Sequence, residues 1–254
     1  MTIWILSLAS VAVISLVSLV GLGTLSLNLS RVRKLATWLV SLTVGTLLGS
    51  AFIHLIPETF ATTTASMLQP SLLVLAGILL FFVVEKLLPC RGEPLHQRLD
   101  IRESNRPELV GINIIGDGIH NFIDGVLIGA SYLVSPTLGI STTIAVLLHE
   151  IPQELGDFGI RVHSGLHIHK AILLNLASAS VAIIGTIVTL DAGTTGGMAI
   201  ITVIVPITAG GFVHIAAADL IPDLQRDRSF RRLLAQASLI ALGMALMAVL
   251  TVVE

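Results

Sequence analysis

The sequence predicts an all-α, polytopic membrane protein with eight transmembrane helices in a 3 + 2 + 3 arrangement. Three observations carry that prediction. The first is composition: of 254 residues, 54% are hydrophobic and only 12% charged, with a mean hydropathy of +0.94. A soluble domain carries about a quarter charged residues. At about 20 apolar residues per crossing, a chain of this size holds about eight spans and little else. The second is the placement of the basic residues, and the third is a pair of similar pentapeptides. The composition excludes a soluble enzyme, a disordered chain and a nucleic-acid binder working through a basic surface. Cys90 is the sole cysteine, which excludes an intrachain disulfide and an all-thiolate metal site.

Apolar runs occupy about 3–29, 35–56, 70–88, 108–134, 138–160, 171–190, 197–221 and 233–253. The first has no Lys or Arg before Arg31, so it lacks the basic start of a cleavable signal peptide and reads as a retained helix. The joints between runs justify the others. Arg31, Arg33 and Lys34 sit in the first joint; Lys86, Arg91, Arg98, Arg102 and Arg106 lie at or within the third. Arg161 and Lys170 flank the fifth, and Arg226, Arg228, Arg231 and Arg232 fill the seventh. All 14 Lys and Arg thus fall on odd-numbered joints. Positive loops stay cytoplasmic, so both termini are expected outside. Residues 1–254 read as a single transmembrane domain.

Span two ends in His54-Leu55-Ile56-Pro57-Glu58 and span seven in Asp219-Leu220-Ile221-Pro222-Asp223, at opposite faces of the membrane. That is the pattern of inverted repeats. Spans one to three and six to eight form the halves, with four and five between them.

Spans four and five carry the chemistry. Asn113, Asp117, His120 and Asp124 have the spacing of one helical face, with Asn121 beside them. Span five reads His149-Glu150-Ile151-Pro152-Gln153-Glu154, then Asp157. An ionised carboxylate near a helix centre costs about 2.5–3.5 kcal/mol. Three of them in span five put roughly 8–10 kcal/mol at stake, an upper figure because Asp157 sits near the inner boundary. Lys and Arg are absent from the span interiors on this reading, so salt bridges do not compensate and the deficit asks for a cation. One buried His or Asp is readily explained as a hydrogen-bonded packing residue; two facing polar stripes are not.

Imidazole, carboxylate and amide oxygen without thiolate suit zinc, iron, manganese, nickel or cobalt over copper(I). Pro152 is expected to kink span five and free a carbonyl beside the ligands.

These residues have a family look. His120-Asn121-Phe122-Ile123-Asp124-Gly125 with Ile128-Gly129-Ala130, and His149-Glu150-Ile151-Pro152-Gln153-Glu154-Leu155-Gly156-Asp157-Phe158, resemble the fourth- and fifth-span signatures of the ZIP metal transporters. The second is similar to the HEXPHEXGD pattern of one large subfamily. The resemblance extends to the span-two and span-seven endings, and so over most of the chain. It implies eight spans, a homodimer, a binuclear-type site between spans four and five, and import of zinc or a related divalent ion. The implied metal residues are His120, Asn121, Asp124, His149, Glu150 and Gln153. The departure is Gln153, where the subfamily has His. A weaker, harder amide oxygen there favours a broader manganese, iron or cadmium range, whereas His149 argues for zinc.

His54, Asp117, Glu154 and Asp157 are weaker candidates for the transport pathway, and His54 reads equally as an interfacial histidine. His214 and Asp219 suit an inner exit or simple packing. Glu154 and Asp157, as unpaired membrane carboxylates, are candidates for proton exchange. His163, His167 and His169 form a loop cluster that reads first as solvated, and the joint of 89–107, with His96 alone, lacks a His-rich tract.

Two other classes compete with this reading. An intramembrane metalloprotease needs a second His where Gln153 stands. A metal sensor shares the site without flux. No GxxxxGK[ST] motif is present, so ATP-driven pumping is not expected. The reading is a passive or secondary carrier, not an enzyme, without cofactor or nucleic-acid partner. Short loops suggest a prokaryotic cytoplasmic membrane.

Overall fold

The computed structural model describes residues 2–20, 29–61, 67–87, 107–163, 166–196, 198–225 and 229–252. Among them the chain forms eight helical units and no strand. We number them α1 (Thr2–Val17), α2 (Leu29–Gly49, running through a π-helical stretch Ser50–Leu55 into Ile56–Ala61) and α3 (Leu68–Leu87). The central pair is α4 (Pro107–Val134) and α5 (Pro136–His163). Then come α6 (Ile168–Ala179 and Val181–Gly196), α7 (Met198–His214, a π-helical Ile215–Leu220 and Ile221–Leu224) and α8 (Phe230–Val252).

Five of these are long and apolar enough to cross a bilayer: α2, α3, α6, α7 and α8. The described part of α1 is apolar but only 16 residues long. Helices α4 and α5, at 28 residues each, reach about 42 Å at about 1.5 Å per residue. They fall outside the apolar group because they carry the polar stripes, which is where the sequence places the chemistry.

Burial is inverted relative to a soluble protein. Leu75 and Leu79 of α3 and Leu242 and Val249 of α8 are each more than half exposed, whereas Ser41, Thr43, Asp117, Asp124 and Glu150 are buried. Lipid tails satisfy the outer apolar surface, so cohesion comes from close packing and interhelical hydrogen bonds. The most extensive helix pairs are α4 with α6, α2 with α8 and α3 with α7. Each uses small residues. A Cβ on Gly125 of α4 would collide with the Ala182 carbonyl of α6, and one on Gly185 with the Phe122 carbonyl. At the same crossing Thr186 donates its hydroxyl to the Gly125 carbonyl at 2.9 Å.

Helix α5 sits at the centre, touched by α1, α2, α4, α6 and α8. The π-helical stretches of α2 and α7 occupy matching registers: Gly45, Ser50–Leu55 and Pro57 of α2 correspond in order and spacing to Gly210, Ile215–Leu220 and Pro222 of α7. A π turn inserts one residue per turn and leaves the ladder locally loosened, and such turns concentrate at functional positions.

Candidate metal centre

Helices α4 and α5 form an antiparallel hairpin turned at Ser135, whose hydroxyl accepts the Leu138 N–H at 3.1 Å. This brings the polar faces together. His120 and Asp124, one turn apart on α4, meet His149 and Glu150 of α5 in a cluster whose donor atoms all lie within 4.8 Å of one another. The Nε2 atoms of His120 and His149 stand 3.2 Å apart. Asp124 Oδ2 lies 3.4 Å from His120 Nε2 and 3.3 Å from His149 Nε2, and Glu150 Oε1 lies 3.6 Å from both. All four residues are buried.

The surroundings orient these donors. His149 donates Nδ1–H to the Ala145 carbonyl at 3.3 Å. That fixes the proton on Nδ1 and leaves the Nε2 lone pair facing the cluster, as a ligating imidazole requires. Both Asp124 oxygens are buried without a hydrogen bond of good geometry, an expensive state for a carboxylate in a membrane interior. The donor set of two imidazoles and two carboxylates has the composition of a divalent transition-metal site.

The remaining expected residues divide. Gln153, half-buried, donates Nε2–H to Glu150 Oε1 at 3.3 Å, so it borders the cluster. Asn121 turns its amide NH2 to the Asp117 carbonyl and carboxylate, both at 3.0 Å, and its own amide oxygen is buried without a hydrogen bond. His54 meets the Met247 carbonyl at 2.8 Å and Thr251 at 3.2 Å, on α8. His214 contacts Glu85 of α3 at 2.6 Å.

A second polar layer lies one turn and more from the cluster, toward the start of α4 and the end of α5. Arg161 is fully buried. It pairs with Asp117 at 2.7 Å, donates Nε–H to Asn113 Oδ1 at 2.9 Å, and hydrogen-bonds Asn175 of α6. Asn113 in turn donates to Asp157 at 2.9 Å, Asn175 to Glu154 at 2.5 Å, and Ser178 of α6 to Asp117 at 2.5 Å. Two expectations are corrected here. Arg161 belongs to the interior, so a salt bridge does compensate part of the carboxylate charge. Glu154 and Asp157 are hydrogen-bonded to asparagines, not unpaired.

At Pro152 the expectation is corrected in part: α5 is helical on both sides of it, and the carbonyl it frees next to His149 finds a partner outside the cluster. The carbonyl it leaves without a helical partner, that of Leu148, accepts the Thr43 hydroxyl of α2 at 2.9 Å and is not offered to the cluster. Sequence reasoning missed Thr43, Asn175 and Ser178. The available signal was an Asn and a Ser three apart in an otherwise apolar span, a polar face that must find partners inside a bundle.

His167 and His169 are exposed, their rings stacked with centroids 6.3 Å apart. The His163 side chain, residues 164–165 and the third joint up to residue 106 lie outside the described residues.

A multi-pass helical membrane chain that buries an imidazole–carboxylate cluster between two of its helices falls among the metal-handling membrane proteins. The comparisons name the family. The model of the family described as ZIP Zinc transporter matches residues 1–108 and 96–251. The chain is 32% identical to zinc transporter ZIP13 of Pongo abelii over 263 residues, covering 96% of this chain and 77% of the relative. It is 32% identical to the zinc transporter ZIP13 homolog of Drosophila melanogaster, covering 86% and 78%. A shorter match, 40% identical over 134 residues, links it to human zinc transporter ZIP10, covering 52% of this chain and 16% of that protein. The chain belongs to the ZIP zinc transporter family, whose members are transporters and not enzymes. These relatives come from animals, so short loops do not argue for a prokaryotic membrane.

Proposed function

We propose that the chain carries divalent metal ions, zinc foremost, across the membrane toward the cytoplasm, through the cluster of His120, Asp124, His149 and Glu150. One observation carries this reading: the five separations of 3.2–3.6 Å among the four donor atoms. Ligands at the corners of a tetrahedron with edges of this size stand about 2.0–2.2 Å from its centre, the range of zinc–nitrogen and zinc–oxygen bonds. Calcium, at about 2.3–2.6 Å with more oxygen ligands, fits poorly. The names of the ZIP13 and ZIP10 relatives point the same way.

Asn121 and Gln153 complete the set, Gln153 by turning its amide oxygen toward an ion that displaces its bond to Glu150. The two carboxylates neutralise a dication, and the absence of thiolate from the cluster favours release as much as capture. Asp117, Glu154 and Asp157 line the stretch between the cluster and the α5 C-terminal end. His54 stands apart at the other face. The 3 + 2 + 3 arrangement is supported by the crossing of pairs, α2 with α8 and α3 with α7, which inverted halves exchange. Apart from the buried Arg161, the basic residues fall on odd-numbered joints, which supports both termini outside. Residues 1–254 act as one transporter domain, and the exposed apolar faces of α3 and α8 leave surface for a homodimer.

The test is zinc entry into liposomes holding the purified chain, with manganese, iron and cadmium as competitors. Saturable entry, weakly inhibited by manganese and abolished in Asp124→Ala, is expected. Stoichiometric zinc binding without flux would instead make the chain a sensor.

A further inference from the structure

The cluster accounts for four polar residues of α4 and α5, and leaves the cation of a larger buried assembly without a role. Among the described residues, Arg161 is the largest of the fully buried side chains. Its guanidinium faces three side-chain oxygens on two other helices: Asp117 Oδ2 and Asn113 Oδ1 of α4, and Asn175 Oδ1 of α6. Around it stand Glu154 and Asp157 of its own helix, tied in through Asn175 and Asn113. Asn175 also donates to the Ser18 carbonyl at 3.3 Å, past the end of α1.

This assembly lies on the polar face of the α4–α5 pair between the cluster and the α5 C-terminal end. Asp117 joins the two layers: its backbone and side chain bind Asn121, beside the cluster, and its second oxygen binds Arg161. A fixed cation there repels an approaching dication strongly, because the surroundings are buried and of low dielectric. Its fork of donors ties α5 to α4 and α6 at once, which a point-charge ammonium cannot do with equal geometry.

We propose that Arg161 is the inner barrier of the ion path. It is a tethered cation whose ion pair with Asp117 and bonds to Asn113 and Asn175 hold the route below the cluster shut, and which a departing metal ion must release. This rests on the transport reading above. Capture and release are thereby separated: His120, Asp124, His149 and Glu150 set how tightly the ion is held, and Arg161 sets how fast it leaves.

The test compares Arg161→Lys and Arg161→Gln with the unsubstituted chain in two assays, equilibrium zinc binding in detergent and zinc flux in liposomes. Expected is a flux at least about threefold above the native rate in Arg161→Lys, and higher again in Arg161→Gln, with zinc affinity changed less than about threefold. A merely structural arginine gives the opposite pattern, with binding and flux falling together. Because Arg161→Gln leaves Asp117 buried without its cation and can fail to fold, Arg161→Lys alone decides the matter in that case. Flux at or below the native rate in a folded Arg161→Lys overturns the proposal. A native chain that binds zinc but carries none overturns the transport reading instead, a result visible before either variant is made.

Discussion

Thr43 of α2 donates its hydroxyl to the Leu148 carbonyl of α5 at 2.9 Å. Leu148 is the residue whose helical hydrogen bond Pro152 removes, and it directly precedes His149. A defect in the site helix is thus sealed from the neighbouring helix at the residue adjoining a histidine of the proposed metal cluster. The bond couples the position of His149 to α2, so the scaffold fixes where the donor stands.

Thr43→Val keeps the shape and removes the donor, leaving the Leu148 carbonyl unsatisfied in a buried, membrane-embedded setting. Polar contacts of this kind in membranes contribute about 0.6 kcal/mol on average and up to about 1.7. Thermal unfolding in detergent should show a lower midpoint, with zinc binding weakened severalfold as His149 loosens. An unchanged midpoint and affinity would show that the seal is dispensable.

Removal of any one cluster donor should weaken zinc binding more than second-sphere changes do, which cost about 10–100-fold. His120→Ala, His149→Ala and Glu150→Gln should each lose more than about 100-fold in affinity measured by competition with a chelating dye, while helix content by circular dichroism stays native. Equal affinity in all three would move the site elsewhere.

Gln153→His places a third imidazole beside Glu150, at a position now bonded to that carboxylate at 3.3 Å. Imidazole favours zinc over manganese more strongly than an amide oxygen does. The ratio of zinc to manganese affinity should rise at least about tenfold, read from competitive binding. A ratio that falls would mean that Gln153 does not face the ion.

Two glycines of α4 should respond in opposite ways to alanine. At Gly125 the new methyl meets the Ala182 backbone, and at Gly118 it meets only a Val181 methyl at 4.0 Å. Overpacking costs about 1–3 kcal/mol. Gly125→Ala should lower the yield of monodisperse protein in size-exclusion chromatography, and Gly118→Ala should not. Equal behaviour would undermine the close α4–α6 crossing.

Much of this was legible in the sequence because its signals are local. Hydropathy marks spans, and a period near 3.6 residues puts His120 and Asp124 on one face. The gathering of Arg and Lys near alternate joints is visible by inspection, but Arg161 at a joint edge turns into the bundle. What the period cannot do is divide a face into layers. Asn113, Asp117, His120 and Asp124 look like one stripe, yet Arg161, Asn175 and Ser178 draw the first two into a separate assembly. That division depends on the reach of a long side chain placed at a span edge by its charge, and on α6, distant in sequence. The sealing of Leu148 by Thr43 is equally nonlocal, since Pro152 announces a free carbonyl but not its partner. The π-helical stretches of α2 and α7 carry no signal we can name beyond the matching prolines that follow them.

The measurement that bears most directly on the account is X-ray absorption at the zinc edge, on the detergent-purified chain loaded with one equivalent of zinc. The account predicts a shell of four to six nitrogen and oxygen ligands at about 2.0–2.2 Å, drawn from the four cluster donors together with Asn121 and Gln153. It should show outer-shell scattering from two imidazoles, one of which disappears in His120→Ala and one in His149→Ala. A shell containing sulfur, or six oxygens without imidazole, unchanged by either substitution, would contradict it.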